Sequence, residues 1–395
     1  MTQIERRQLW TAIHRYSGLF MLLFLAIAAA TGCVLSFEKP LDAWLNPELF
    51  SCTTSRPIDP ATAAGALERA HPELAATTFP VRAEPGRTVE VLVEPRGAQT
   101  LSFDQVFLDC RDGHVVGTRR TEAGWGRAHL MRGVYLLHYT LLAGDWGRWL
   151  MGVVALVWLL SNLVGVYLTW PLRRPWFRQW KRIWQFRRSS PLPRLLLDIH
   201  RASGLWLLLP LSVLAFTSVA MNFFSEAFLP AVQLLSPPRP SPFDGAPAGH
   251  KANPPAFPDL LRKAELLAAR RQLTWQPAVY QREPVRGLSG LRFTPSGIEE
   301  YRALGPVTYW FDDATGTFVY EDSPYADSAG QALSRALFPL HTGQMIGWPG
   351  IVLDLILGLA TLEMCGTALY LWLKRRPGRV SARKRERGKA RSVRD

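Results

Sequence analysis

The chain has 395 residues, a formal net charge of +14, and hydrophobic residues at 48% of its positions. Basic proteins can bind nucleic acid, but here the basic blocks flank long apolar runs and alternate with Trp176, Trp180 and Trp184. This pattern indicates membrane topology and contact with lipid headgroups instead of nucleic acid. The sequence has no Gly-x-Gly-x-x-Gly or P-loop motif, which excludes binding of nucleotide cofactors by those motifs.

Four long apolar segments predict transmembrane helices near residues 12–37, 148–172, 202–226 and 349–373. Each is long enough to cross a hydrocarbon core of roughly 30 Å, which needs about 20 helical residues. The first run is too long for the apolar part of a signal peptide and is not followed by a small-x-small cleavage site. We therefore expect it to be retained as a helix.

Basic residues set the predicted orientation of these helices. Arg6 and Arg7 precede the first helix, a basic loop follows Trp170, and a basic tail follows Leu373. The positive-inside rule places all three in the cytoplasm. The sequence therefore predicts a multi-pass protein of the bacterial inner membrane with both termini in the cytoplasm.

These boundaries divide the chain into eight predicted segments. They are a cytoplasmic lead with the first helix at 1–37, an exported module at 38–128, an outer interfacial segment with the second helix at 129–172, a basic cytoplasmic loop at 173–198, the third helix at 199–226, a second exported module at 227–337, an outer interfacial segment with the fourth helix at 338–373, and a basic tail at 374–395.

Both exported modules show the same predicted order, a helix followed by strands. The predicted helices are at 60–71 and 257–271, a strand is at 89–94, strand–turn–strand units are at 107–117 and 307–320, and linkers are at 41–60 and 236–258. We expect two small α+β modules on the outer face of the membrane.

The four cysteines do not form a CxxC pair or a zinc framework. Cys52 and Cys110 lie in the same exported module, where the sequence allows a disulfide without requiring one. Cys33 and Cys365 lie in predicted helices, where we expect them to be small buried hydrophobic residues.

The two halves of the chain repeat one pattern. Residues 13–19 read Ile-His-Arg-Tyr-Ser-Gly-Leu and residues 199–205 read Ile-His-Arg-Ala-Ser-Gly-Leu, each at the start of an apolar run. A Leu-His pair ending at His138 precedes the second helix, and a matching pair ending at His341 precedes the fourth. Such a repeat predicts a pseudo-twofold bundle with its functional site at the interface between the repeats.

Histidines that flank membrane helices are candidates for function, because an ionisable residue there is costly. The symmetric candidates are His14 and His200 at the cytoplasmic ends and His138 and His341 at the outer ends. From the pattern alone, hydrogen-bonded structural histidines remain an alternative. The other histidines are His71, His114 and His250, expected on the surface of the exported modules, and His129, which has no repeat partner.

The repeated His-Arg-x-Ser-Gly motif, the Leu-His pairs and the turns Asp-x-x-Thr/Asp-Gly at 109–113 and 312–316 resemble the PepSY-associated transmembrane family. Within it, the chain is similar to bacterial inner-membrane siderophore-iron reductases of the ferrioxamine type. The resemblance covers nearly the whole chain except the basic tail. It implies an α-helical membrane protein with four transmembrane helices and two periplasmic PepSY-like modules.

The resemblance also implies b-type haem in the membrane and reduction of a ferric siderophore outside it. Two neutral imidazoles give a six-coordinate iron centre suited to electron transfer. The expected ligands are His14 with His200 for one haem and His138 with His341 for a second. Arg15 and Arg201 are expected to pair with propionates or to reach the headgroups, and His129 is an alternate outer ligand or a substrate-side residue.

The hypothesis for function is therefore a di-haem b reductase that releases Fe2+ from a ferric siderophore, with a hydroxamate as the plausible chelator class. Its expected partners are that siderophore, membrane lipids and an unidentified electron donor. The alternatives are a siderophore or iron permease and a non-redox PepSY regulatory or binding protein. Asn162 and Glu363 align in the repeat and are expected to handle protons, contact haem or hydrogen-bond within the bundle.

Overall fold

The computed structural model describes residues 1–54, 56–97, 100–122, 126–244, 254–300 and 302–392. The helices are α1 (Gln3–Leu35), α2 (Glu38–Leu45), α3 (Pro47–Phe50), α4 (Pro60–Ala70), α5 (Leu130–Thr140), α6 (Gly144–Thr169), α7 (Trp176–Lys181), α8 (Leu192–Trp206), α9 (Leu208–Asn222), α10 (Leu229–Leu235), α11 (Phe257–Arg270), α12 (Ala329–His341) and α13 (Trp348–Ser392). The strands are β1 (Leu74–Pro80), β2 (Val89–Pro95), β3 (Gln105–Leu108), β4 (Val115–Arg119), β5 (Gln276–Glu283), β6 (Leu288–Thr294), β7 (Val307–Asp312) and β8 (Phe318–Asp322). Single 3-10 turns lie at Arg127–His129, Arg182–Trp184 and Gln344–Ile346, and a π-helical turn lies at Phe224–Phe228.

Within the described residues, three helices are long and apolar enough to cross a membrane: α1, α6 and the Trp348–Lys374 part of α13. A fourth span exists only if α8 and α9 count as one, and these two helices are bent by 71°. The prediction of one continuous third helix at 199–226 is therefore wrong. The break lies at Leu207 because Pro210 has no N–H with which to bond the carbonyl of Trp206.

The bundle places equivalent helices of the two halves on opposite corners. α1 packs against α6 and α13, while α9 packs against α6 and α8 packs against α13. The buried apolar centre of the bundle is formed by Met21, Leu25, Val154, Trp158, Leu211, Ala215 and Leu357. Many other apolar side chains of these helices are exposed, as expected where a protein surface faces lipid.

Two helix ends differ from the prediction. α1 begins at Gln3 and not near residue 12, because Thr2 and Glu5 form a reciprocal capping box at its first turn. α13 continues past residue 373 to Ser392. The predicted linker at 41–60 also contains the last five residues of α2, the whole of α3 and the first residue of α4. Pro47 occupies a first-turn position of α3, where proline is favoured.

The strands of the two segments that were predicted to be exported form one antiparallel sheet in the order β4-β3-β2-β1-β5-β6-β7-β8. Each segment supplies four strands and a covering helix; the sequence predicted these helices and the later strands but not β1, which pairs with β5 and joins the halves. Phe79 and Tyr280 stack across this seam with ring centres 4.6 Å apart. The two separate modules that we expected are thus one domain, because this pairing removes two exposed strand edges.

One face of the sheet is covered by α4 and α11, whose Ala63, Ala64, Leu260 and Ala264 are buried against it. The opposite face carries Phe107 and Trp310, which contact the segments that connect the sheet to the membrane helices. A disulfide between Cys52 and Cys110 cross-links the domain.

The helices α5 and α12 fold back onto the bundle, α5 against α1 and α6 and α12 against α9. Glycine is required where α5 turns into α6, because a Cβ at Gly147 would lie 1.6 Å from the carbonyl oxygen of Thr140. Gly343 and Gly350 approach each other in the same way between α12 and α13. These turns bring His138 and His341 inward from the ends of the short helices.

Candidate cofactor site

The outer pair of candidate histidines meets at the interface between the two halves of the chain. The ring centres of His138 on α5 and His341 on α12 are 6.1 Å apart, and their planes are inclined at 68°. Sequence symmetry predicted that these residues share a layer, and the structure brings them together.

Threonine side chains hold both outer rings in the same way. Nδ1 of His138 lies 3.0 Å from Oγ1 of Thr31 and 3.0 Å from the carbonyl oxygen of Ala28. Nδ1 of His341 lies 3.0 Å from Oγ1 of Thr217. Thr31 and Thr217 occupy equivalent positions in α1 and α9, so the repeat extends to the residues that orient the two histidines.

These contacts suit one tautomer of the two rings. Thr31 can donate its hydroxyl hydrogen to the carbonyl of Ile27 at 2.7 Å, and Thr217 to the carbonyl of Val213 at 3.0 Å. Each hydroxyl is then an acceptor for a histidine Nδ1–H. A neutral ring that carries its hydrogen on Nδ1 has its lone pair on Nε2, the form that binds a metal.

The inner pair lies in a separate cavity of about 390 Å3. His14 and His200 both line it, together with Gly18 and Gly204 from the repeated motif. Its volume falls within the range of about 300–1,000 Å3 that is usual for small-molecule and cofactor sites. The small residues leave room beside the backbones of α1 and α8.

Hydroxyl groups also hold the inner rings. Nδ1 of His14 lies 2.9 Å from Oγ of Ser161 on α6, and Nδ1 of His200 lies 3.1 Å from Oγ1 of Thr367 on α13. Thr367 can donate its own hydrogen to the carbonyl of Met364 at 3.1 Å and is then an acceptor for His200. Sequence analysis missed Ser161 and Thr367, because a hydroxyl residue inside a helix usually bonds its own backbone.

Three arginines lie at the edge of this cavity. Arg7, Arg15 and Arg201 all line it. Arg7 donates hydrogen bonds to the carbonyls of Trp170 and Leu168 and so closes the end of α6. Nε of Arg15 is buried without a hydrogen-bond partner among the described residues, which leaves a donor available to an anionic group.

The remaining four histidines belong to neither of the two pairs. His71 and His114 are on the surface beside Glu73 and Asp112. His250 lies outside the described residues. His129 stands at the start of α5, and both of its ring nitrogens are buried without a partner in the described part of the chain.

Three other polar residues lie within the bundle. Asn162 lines the inner cavity and donates a hydrogen bond of 3.4 Å to Ser212. Glu363 lies close to Ser203 and Thr367. Asp354 accepts a hydrogen bond of 3.3 Å from Ser36 at the outer end of α1. Asn162 and Glu363 therefore lie near the inner pair of histidines, whereas Asp354 lies at the other end of the bundle.

Comparison with known proteins places this arrangement in a family. Residues 11–375 match the PepSY-associated TM region. The uncharacterized protein PA4219 of Pseudomonas aeruginosa is 26% identical over 270 residues, which cover 63% of this chain and 64% of that protein. Because the family match extends over nearly the whole chain and contains all four candidate histidines, the protein is a membrane protein that belongs to the PepSY-associated transmembrane family.

Proposed function

We propose that the protein is an inner-membrane di-haem b reductase that passes electrons outward to a periplasmic ferric siderophore and releases Fe2+ during iron uptake. The observation that carries this proposal is the arrangement of four histidines in two layers, each ring held through Nδ1 by a hydroxyl group. In this proposal α8 and α9 together form the fourth span, and both termini face the cytoplasm.

The outer histidines fit the demands of a shared iron. A metal–imidazole bond is about 2 Å long and a ring centre lies about 1 Å beyond its nitrogen, so two imidazoles that bound one metal ion from opposite sides would have ring centres roughly 6 Å apart. The observed separation of the His138 and His341 centres is 6.1 Å. Hydrogen bonds to Thr31 and Thr217 supply the outer-shell orientation that metal-bound histidines normally have.

The inner cavity fits a large apolar cofactor with acidic substituents. His14 and His200 would be its ligands, and Arg15 and Arg201 lie at its edge as partners for carboxylates. The unpaired Nε of Arg15 supports this use, since a buried donor without an acceptor is costly.

Haem b, when bound, supplies one-electron chemistry between ferric and ferrous iron. The residues of the chain have distinct tasks around it. The four histidines would hold the metal, and the threonines and Ser161 would fix the orientation of their rings. Two sites at different depths would connect a cytoplasmic electron donor to a periplasmic acceptor.

Pyridine haemochrome analysis of the purified protein tests the proposal. We expect two haem b per chain and a visible spectrum that shifts with dithionite. Reoxidation of the reduced protein by a ferric hydroxamate should be rapid. A haem content near zero would contradict the proposal, and a content near one would remove one of its two layers.

A permease is the second candidate, because discontinuous helices are common in transporters. The 71° bend between α8 and α9 is a feature of that kind. Its repeat counterpart α1 runs without a break from Gln3 to Leu35, so the two halves do not share the feature. Uptake of a gallium siderophore by proteoliposomes in the absence of reductant would favour the permease.

A further inference from the structure

We infer that a groove along the first part of α1 binds the headgroup of one anionic phospholipid. The groove is open to the surroundings of the protein and has a volume of about 460 Å3. Its lining residues are Ile4, Arg7, Gln8, Thr11, Ala12, Arg15 and Leu172. We call it the α1 groove. The inference goes beyond the proposed function and does not depend on it, because the occupant is a lipid of the surrounding bilayer.

One face of α1 forms most of the groove. Its lining residues from Ile4 to Arg15 recur at alternating intervals of three and one positions, which places their side chains in a single stripe along the helix. The facing wall is Leu172, which follows the end of α6. Arg7 joins the two walls, because its guanidinium donates to two carbonyl groups at the end of α6. The shape of the groove is therefore held by the contact between α1 and α6.

The groove lies at the level of lipid headgroups. α1 has 33 residues and is about 50 Å long, whereas the hydrocarbon core of a bilayer is roughly 30 Å thick. The apolar run of α1 begins at Leu19, so the residues that line the groove extend beyond the core. Trp10 lies in the same part of α1, with its ring centre 6.2 Å from that of Tyr167. Both residue types are enriched at the membrane interface.

The charge of this region suits an anion. Arg7 and Arg15 line the groove, and none of its described lining residues is acidic. Residues 173–197, which follow the wall at the end of α6, contain arginines and a lysine but no Asp or Glu. Glu5 is the only acidic residue among the first 37 positions, and it accepts a hydrogen bond from the backbone of Thr2. Cations without neighbouring carboxylates attract anionic lipids.

Unused hydrogen-bond donors in the groove suit the oxygens of a phosphodiester. The Arg15 guanidinium lies 4.7 Å from the centre of the Tyr16 ring but donates no hydrogen bond within the described residues. The side-chain amide of Gln8 also has no hydrogen-bond partner in the described part of the chain. A guanidinium forms strong charge-assisted hydrogen bonds with phosphate oxygens. The apolar side chains of Ala12 and Leu172 lie beside these donors and suit the glycerol part of a lipid.

The α1 groove and the inner cavity have a wall in common. Arg7, Thr11 and Arg15 line both of them. A guanidinium has five N–H groups, so Arg15 can bond an anion on each side of this wall. A headgroup in the groove would cover the inner cavity on the side of α1 and would place a negative charge beside its arginines.

Native mass spectrometry of the full-length protein tests the inference. Protein freed of lipid in detergent would be titrated with phosphatidylglycerol, which is anionic, and with phosphatidylcholine, which has no net charge. We expect the first phosphatidylglycerol to bind about tenfold more tightly than the first phosphatidylcholine. Inorganic phosphate at the same concentration should not displace the lipid, because it cannot use the apolar side of the groove.

Two variants locate the site, and each has a matched control. Arg15→Gln removes a charge and donors from the groove, and Ala12→Phe fills the groove without changing its charge. Both should weaken the binding of phosphatidylglycerol about tenfold or more. Arg6→Gln and Ile13→Phe make the same kinds of change at exposed positions of α1 outside the groove and should leave the affinity unchanged.

Melting temperatures establish that each variant is folded, and Ala12→Phe decides the outcome if Arg15→Gln is unstable. Equal affinity of the wild type for the two lipids would overturn the inference, and so would wild-type affinity in Ala12→Phe. An equal loss in Arg6→Gln and Arg15→Gln would also overturn it, since the lipid would then respond only to the total charge of this end of the protein. Displacement by inorganic phosphate would show that the groove is an ion site and not a lipid site.

Discussion

His138 and His341 face each other across the boundary between the two halves of the chain, with ring centres 6.1 Å apart. Each ring hydrogen-bonds to a threonine of a long helix in its own half, His138 to Thr31 and His341 to Thr217. The distance between the two rings therefore depends on the relative position of the two repeats. If it binds one iron, that iron fixes the two halves together at the outer end of the bundle.

Replacing one outer histidine should remove one of the two haems. We expect His341→Ala to deplete the outer haem and leave a low-spin spectrum from the inner one, because loss of an axial imidazole leaves five-coordinate, weakly held iron. His200→Ala should do the reverse. Haem content and the low-spin absorption spectrum measure both effects.

The two variants should also differ in electron transfer. Dithionite-reduced His200→Ala is expected to be reoxidised by a ferric hydroxamate, whereas His341→Ala should react poorly in the same stopped-flow measurement. The exposed His71, which pairs with Glu73, gives the control variant His71→Ala. Two haems and normal reoxidation in His341→Ala would show that the outer ligand is wrongly assigned, and His129 would be the next candidate.

The threonine partners should determine how tightly the outer haem is held. Thr217→Val keeps the shape of the side chain but removes the acceptor for the His341 Nδ1–H. We expect haem affinity to fall by about 10–100-fold, the usual effect of losing an outer-shell partner of a metal ligand. The measurement is the rate of haem transfer to an acceptor apoprotein.

Two variants control the Thr217 experiment. Thr217→Ser keeps the hydroxyl and should restore slow haem loss. Ser218→Ala removes a neighbouring hydroxyl that bonds the carbonyl of Leu214 at 2.8 Å and should have little effect. Equal rates in all three variants would mean that the hydroxyl does not orient the ligand.

The disulfide should stabilise the exported domain. Cys52 and Cys110 are 58 residues apart in sequence, and closing a loop of that size stabilises a fold by about 4 kcal/mol in the chain-entropy estimate. We therefore expect the double serine variant to melt at a lower temperature than the wild type. Reductant should lower the melting temperature of the wild type but not that of the variant.

Thiol labelling of the unfolded chain checks the same bond. Without reductant only Cys33 and Cys365, the free cysteines, should react, and after reduction all four should react. Four reactive thiols in unreduced protein would contradict the disulfide and would argue against export of the domain to an oxidising compartment.

Local features of the fold could be predicted because their signals are local. The helices α4 and α11 and the strand β2 follow apolar periodicity, and the Asp-Gly at 112–113 sits in the turn between β3 and β4 as expected. The symmetric placement of the histidines could also be predicted, since a repeat in sequence becomes a pseudo-twofold relation in space.

The rest of the fold depends on contacts between distant residues. The pairing of β1 with β5 places Thr78 opposite Gln281. Neither strand carries a sequence signal that identifies the strand with which it pairs. Thr31 and Thr217 occupy equivalent positions in the repeat, but their contacts with the histidines depend on the return of α5 and α12 to the bundle. Only Pro210 offered a local signal for the break in the third helix, and a proline inside an apolar run does not by itself specify a bend.

Stability of the exported domain should depend on the charge of Glu90. Burial raises the pKa of this carboxyl, and the negative charge of Glu299 raises it further, whereas Arg119 acts in the opposite direction. The folded protein therefore binds this proton more tightly than the unfolded chain does. The contribution of the group to stability is fully present below the unfolded pKa and is lost as pH rises through the folded pKa.

Glu90→Gln isolates this effect, because glutamine stays neutral and can still accept a hydrogen bond from Gln105. We expect the variant to melt above the wild type at pH 8, by a margin that shrinks as pH falls and disappears near pH 4, where the wild-type carboxyl is protonated in both states. Glu265→Gln on the exposed side of α11 is the control and should show no such trend. A difference in melting temperature that stays constant with pH would mean that the substitution affects packing and not charge. A wild type that melts above Glu90→Gln at pH 8 would mean that the attraction between Glu90 and Arg119 outweighs the cost of burying the charge.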